Sequence, residues 1–243
     1  MSGIVRVCSL LAAMALLAGC MMTTGGTMIT GSGRVVTQEF DFQDFTRVNV
    51  SSAFKVTIEK GERQTVAVTI DDNLSDYLDV RLQGDTLYIG MKPSLHLGFR
   101  NTTQRAEITM PFIEGIQLSG ATQGEVAGFD GDDRLEIEVS GASRLRGDIT
   151  AGDTRIEISG ASTVEIAGSA TDLDVEASGA SSAKLGEFES GETRTEVSGA
   201  SHVTVRPSGR LTGAASGASS VTYLGNPESV QVNTSGASSV RRG

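Results

Sequence analysis

The sequence contains no tryptophan, two cysteines and two histidines, and aromatic residues make up 5% of it. Each scarcity excludes something. Two cysteines cannot supply the several disulfides that staple a small secreted domain, nor a four-cysteine zinc site. His96 and His202 are isolated, and no Glu-x-x-His phrase occurs, so a transition-metal centre has no ligand set. Positive charge is also short. Twenty Lys and Arg stand against 30 Asp and Glu, a formal net charge of −10. Gripping phosphates needs clustered cations, so nucleic acid is excluded as a partner. The phrases Gly-x-Ser-x-Gly, the P-loop and the dinucleotide fingerprint are missing. No cofactor is expected.

What is there begins with a targeting signal. In Met1 to Cys20, Arg6 is the one charge and Ser9 to Ala18 is an apolar run. That run is too short to cross a bilayer core as a helix and has the length of a secretory h-region. Leu17-Ala18-Gly19-Cys20 resembles the bacterial lipobox, in which the Cys is lipidated and the peptide is cut just before it. The alternative is an ordinary signal followed by a chance Cys. Met21, rather than Asp, follows the Cys, which points to an outer-membrane-anchored lipoprotein facing the periplasm or the surface. The expected boundaries are a signal at 1–19, a lipidated Cys20 with a flexible tether at 20–33, and a domain at 34–243. The tether reading rests on 21–33, which holds four glycines and no charge.

The second feature is a repeat. Ser-Gly-Ala begins at Ser119, Ser140, Ser159, Ser178, Ser198, Ser216 and Ser235, at intervals of 18 to 21 residues. A near-constant period of this size is the mark of a solenoid. Apolar residues alternate on both sides of the phrase, as at Leu135, Ile137 and Val139 or at Val164 and Ile166. Alternation is the strand period. Each repeat therefore reads as strand, corner, strand and turn, with Gly supplying an unusual φ and Ala fitting a narrow bend. Stacked, these coils make an all-β parallel β-helix of about 19-residue coils, right-handed by the crossover rule. One inward ladder would run through Leu118, Val139, Ile158, Ala177, Val197 and Ala215. A second would run through Leu145, Val164, Ala183, Val203, Val221 and Val240.

Outward positions carry charge. Glu138, Glu157, Glu176 and Glu196 would stack in successive coils, beside a line that alternates Glu136, Arg155, Asp174 and Arg194. Two readings are open: a solvated, partly paired face, or a carboxylate ladder for a hard cation such as Ca²⁺. His202 falls at an outward repeat position, where solvation is expected.

Residues 34–112 alternate without the repeat phrase, as in Phe54-x-Val56-x-Ile58 and Val66-x-Val68-x-Ile70. They read as an N-terminal β section preceding the coils at 113–243. Asp71-Asp72-Asn73-Leu74 reads as a short helical turn with an acidic cap. Gly33-Arg34-Val35, Phe45-x-x-Val48-x-Val50, Phe54-Lys55-Val56-Thr57-Ile58, Asp71-Asp72-Asn73-Leu74 and Gly84-Asp85-Thr86-Leu87-Tyr88-Ile89 precede the Ser-Gly-Ala repeats. Together over about 33–240 they resemble the head GIN domain family, labelled as autotransporter adhesins. The resemblance implies a secreted or lipid-anchored β-helical domain, and it implies no catalytic residues.

Between Asp85 and Glu107 there is no acidic residue. Lys92, His96, Phe99, Arg100 and Arg105 fall there, either in a plain strand or hairpin loop or as a contact for a glycan or protein partner. The functional expectation is a non-enzymatic module at the cell envelope, held to the membrane by its lipid, that binds or organises a surface polymer or partner. The rival is a β-helical lyase or hydrolase, which would need convergent carboxylates on one face. Two readings of the last coil, which begins at Ser235 with no covering segment after it, are open: homo-oligomers form through it, or Arg241 and Arg242 blunt its edge by charge.

Overall fold

The structure is a computed structural model that describes residues 27–93 and 97–243. The signal at 1–19, Cys20 and His96 lie outside the described residues.

Alternation in the sequence becomes alternation of burial. In Leu135–Val139 the three apolar side chains are buried, while Glu136 and Glu138 face outward. Each coil gives one strand to each of two sheets, one of ten strands and one of eleven among the described residues. Successive coils pair in parallel. Val139 lies beside Ile158 and Ile158 beside Ala177 in one sheet; Leu145 lies beside Val164 and Val164 beside Ala183 in the other. The result is a parallel β-solenoid of about 6 turns with coils of about 20 residues. Both inward ladders form. Every member is buried except Val240 of the last coil, which is partly buried against the core.

The Ser-Gly-Ala corner requires its glycine, and its alanine differs from the expectation. Gly160 has φ +72°, and a Cβ built there would lie 2.5 Å from the carbonyl oxygen of Gly141 in the coil before. The corners touch because the backbone ladder continues through them: Ala161 N donates to Gly141 O at 2.8 Å and Ala180 N to Gly160 O at 2.8 Å. The alanines, by contrast, are exposed. The narrow-bend explanation for Ala is therefore incorrect, because its Cβ points to solvent. The tight position is the next one. Thr122, Ser143, Ser162, Ser181, Ser201 and Ser219 form a buried hydroxyl column. A short hydroxyl there serves backbone groups at the bend, as when Thr122 N donates to Ser143 Oγ at 3.1 Å and Ser219 Oγ to Val197 O at 3.3 Å.

The N-terminal section belongs to the same two sheets. Gly115–Leu118 pairs with Arg47–Val50, and Gln123–Asp130 with Lys55–Lys60. A further coil, from Thr86–Met91 and Gln104–Met110, lies outside that one, although it comes later in the chain. Antiparallel strands Val35–Phe40, Thr65–Asp71 and Leu78–Gln83 close this end. At the corner of the Arg47–Lys60 coil, Ser51-Ser52-Ala53 replaces Ser-Gly-Ala, and Ser119 N donates to Val50 O as it would to any repeat. Ser52 tolerates φ +66° in the glycine's place. Its Oγ accepts from Met91 N at 3.3 Å.

Two expectations are corrected here. The tether does not extend to 33. Thr27–Thr30 is a strand paired in parallel with Leu97–Arg100, and Gly31 N donates to Arg100 O at 3.2 Å. Asp71 does not cap the helical turn either. That turn exists, as a 3₁₀ helix over Asp72–Tyr77, but the Asp71 carboxylate makes no capping bond to it. The side chain is buried and accepts instead from Gly33 N at 2.7 Å and Thr103 N at 2.6 Å. Its neighbour Asp72 turns the other way, to Ser32 Oγ at 2.5 Å and Arg34 at 2.9 Å. The Ser32 hydrogen bond, more than the Arg34 charge, holds the Asp72 carboxyl below its ordinary pKa. Together these contacts clasp residues 31–34 to the end of the solenoid. Asp71→Ala should cost about 2–4 kcal/mol, because it strands two amides that now bond a carboxylate. The check is hydrogen exchange: the Gly33 and Thr103 amides should lose protection, and unchanged protection would remove the clasp.

Candidate functional site: the outer face of the ten-stranded sheet

Parallel, in-register stacking lines up outward side chains as it lines up inward ones. On the ten-stranded sheet, one column reads Tyr88, Asn49, Gln117, Glu138, Glu157, Glu176 and Glu196. The column beside it reads Thr86, Arg47, Gly115, Glu136, Arg155, Asp174 and Arg194. The four glutamates singled out in the sequence are thus brought together, one strand apart. Adjacent like charges oppose one another, and the arginines offset this laterally. Arg155 reaches Glu157 at 2.7 Å, Glu176 at 2.6 Å and Asp174 at 3.1 Å. The bond to Glu157, seconded by Glu176, holds the Arg155 proton more firmly than usual against the opposing effect of burial. Arg194 pairs with Glu196, and Gln117 Nε2 donates to Glu138 Oε2 at 2.8 Å. Among the described residues, no group of three or more His, Cys, Asp or Glu is arranged to hold a metal ion.

The columns are interrupted once by a glycine. At Gly115 the face has a shallow notch of about 270 Å³. A Cβ there would lie 2.8 Å from Arg47 Nη1, because the Arg47 side chain crosses Gly115 to pair with Glu136. Asn49, hydrogen bonded to Gln117, and the Tyr88 ring form the other wall. The Arg81 guanidinium lies 4.7 Å from the centroid of that ring. Sequence reasoning missed Arg47, Asn49, Tyr88 and Gly115. A signal was present: Val48-x-Val50-Ser51-Ser52-Ala53 has the spacing of Ile116-x-Leu118-Ser119-Gly120-Ala121.

Of the described contact residues after Asp85, Lys92 and Phe99 meet adjacent residues of the 3₁₀ helix, Asp76 and Tyr77. Lys92 Nζ donates to Asp76 O at 2.7 Å. Arg100 Nε donates to Thr30 Oγ1 at 3.1 Å. Phe99 is partly buried, its ring 6.0 Å from that of Tyr77. Arg105 lies on the other sheet, between Lys55 and Thr69. His202 is exposed, between Ser182 and Ser220.

Residues 44–227 match the family described as "Putative auto-transporter adhesin, head GIN domain". The chain belongs to the head GIN family. No curated protein matches this head GIN chain. Solved structures with the same fold include a putative adhesin from Bacteroides fragilis, with a TM-score of 0.81 at 17% identity, covering 88% of this chain and 99% of that one. A structure titled a putative lipid binding protein, from Parabacteroides distasonis, aligns with a TM-score of 0.70 at 20% identity, over 89% of this chain and 100% of that one. A putative adhesin from Parabacteroides merdae aligns with a TM-score of 0.68 at 17% identity, over 89% and 99%. The family description points to the cell surface or envelope. Among the described residues, no helix is long and apolar enough to cross a membrane.

Proposed function

We propose that this head GIN protein is a non-enzymatic module of the cell envelope, anchored by lipid at Cys20, and that it presents the outer face of its ten-stranded sheet to a polysaccharide. The observation that carries this reading is the pair of aligned polar columns with the Gly115 notch in one of them. A small-molecule site is concave and mostly apolar. This face is open, polar and periodic at about 4.8 Å per coil, which suits a long chain lying along it. Sugar hydroxyls both donate and accept, and so do Asn49, Gln117 and the guanidinium–carboxylate pairs around the notch. Those side chains already hold one another in place, so little rotamer freedom is left to lose on binding. Glu138, Glu157, Glu176 and Glu196 each accept from Gln117 or an arginine, which fits a surface of fixed acceptors better than an acid and base pair for glycoside cleavage.

The test is co-sedimentation with insoluble peptidoglycan, chitin and cellulose. At least one should retain the protein. Gly115→Leu, which fills the notch and displaces Arg47 from Glu136, should weaken retention about tenfold, or about 1.4 kcal/mol. Thr163→Leu, outward on the eleven-stranded sheet and away from these columns, should leave it unchanged. Equal retention of both variants would remove the notch from the site, and turnover of any of the three polymers would overturn the non-enzymatic reading. The anchor has its own check: labelled palmitate should enter the protein and be absent from Cys20→Ser.

A further inference from the structure

The end of the solenoid opposite the last coil is where apolar side chains come to the surface. Met28 is 54% exposed, Val35 52% and Val36 38%; of the large hydrophobic residues exposed among the described residues, the others are Phe112 and Val230. Val35 and Val36 are neighbours on a strand and point to opposite faces, yet both are exposed. Their strand is the last of the eleven-stranded sheet and overhangs the core.

We propose that this end is a membrane-contact surface, and that the domain stands on the lipid bilayer through Met28, Val35 and Val36. The proposal rests on the lipid anchor at Cys20 put forward above. Three further observations select a lipid surface as the occupant. First, the clasp fixes the point of entry of the chain: Gly31 bonds Arg100, Ser32 N bonds Asn73 Oδ1 at 3.1 Å, and Gly33 bonds Asp71. Residue 27 therefore cannot swing along the solenoid. Second, the path from Cys20 to Thr27 is seven residue steps, at most about 25 Å of extended chain, which keeps this end near the headgroups. Third, Arg34 and Arg100 border the apolar residues; Arg34 is paired with Asp72 at 2.9 Å, but its side chain is 83% exposed and open to a headgroup. Cations beside a modest apolar patch match an anionic interface, where apolar side chains enter shallowly and Arg stays with the headgroups. The arrangement points the last coil away from the bilayer and leaves the charged face of the ten-stranded sheet beside the axis, open to a polymer.

The experiment uses the full lipidated chain in vesicles of phosphatidylethanolamine and phosphatidylglycerol that carry a headgroup quencher. Single fluorophores are placed through Met28→Cys or Val230→Cys, with the parent protein as the labelling control. Fluorescence at 28 should be lost and fluorescence at 230 retained. Val35→Asp combined with Val36→Asp, at positions already open to solvent, should restore fluorescence at 28. Palmitate content is measured on the same samples. With palmitate present, equal fluorescence at the two positions overturns the standing arrangement and leaves the anchor intact. Loss at 28 that survives the double Asp variant means proximity through the tether alone and overturns the contact surface. Absence of palmitate overturns the anchor and this placement with it.

Discussion

Val164→Asp is expected to abolish cooperative folding, while Thr163→Asp, one residue earlier, leaves the melting temperature nearly unchanged. Val164 is fully buried, with Leu145 and Ala183 as its ladder neighbours in the coils on either side. Neither can pair with a carboxylate. An unpaired charge in that ladder costs about 4 kcal/mol or more, a large part of a typical total stability of about 5–15 kcal/mol. Thr163 faces outward between Arg144 and Ser182, so a carboxylate there stays hydrated beside a cation, and its effect should stay within about 0.5 kcal/mol. Thermal unfolding followed by circular dichroism separates the two. Equal melting temperatures would contradict the facing of this strand.

The second large effect is expected at a corner. Gly160→Ala should destabilise the protein by about 3 kcal/mol or more, far beyond the loss of one hydrogen atom. A left-handed φ costs a residue with a Cβ about 1–2 kcal/mol. Here the new Cβ would also lie 2.5 Å from Gly141 O and 3.1 Å from Gly141 N, and both are backbone atoms held by the ladder. Relief requires separating two coils, which breaks the Ala161 N to Gly141 O bond at 2.8 Å. Gly131→Ala is the matched control, since its Cβ would meet nothing within 4 Å and its φ is not left-handed. Denaturant unfolding of the pair reads the difference directly. A Gly160 variant as stable as the Gly131 variant would mean that the corners are not in contact.

The two variants test features that differed in legibility. Val164 could be placed inside from alternation and a period of about 19, because both are local and repeat at every coil. Gly160 could be marked as a corner from its phrase, but the contact that demands glycine is with another coil. The same distance in sequence hid the reason for the fourth corner residue. Ser143 and Ser162 look like ordinary polar turn residues until stacking buries them and aligns their hydroxyls with backbone groups. Asp71 looked like a helix cap because capping is the local use of an aspartate before a helical turn. Its amides come instead from Gly33 and Thr103, 38 and 32 residues away.

For the candidate site, the glutamate column was readable and its continuation was not. Glu138, Glu157, Glu176 and Glu196 recur at the repeat interval, so their alignment follows from the period alone. Arg47, Asn49 and Tyr88 join the same columns through a stacking order that differs from the order of the chain. The coil of 86–110 lies outside that of 47–60, and Gly115–Leu118 pairs back onto Arg47–Val50. By itself, then, the sequence determined the β character, the coil length, the inward ladders and the columns within the repeats. Each depends on which side of a strand a residue faces and how far away its next equivalent lies, and both are counted along the chain. Only the tertiary structure decided which coil stacks on which at the N-terminal end, where Asp71 finds its partners, and that Gly115 opens a notch beside Arg47 and Tyr88. Those outcomes depend on hydrogen bonding and packing between segments far apart in sequence, where no local periodicity carries the pairing.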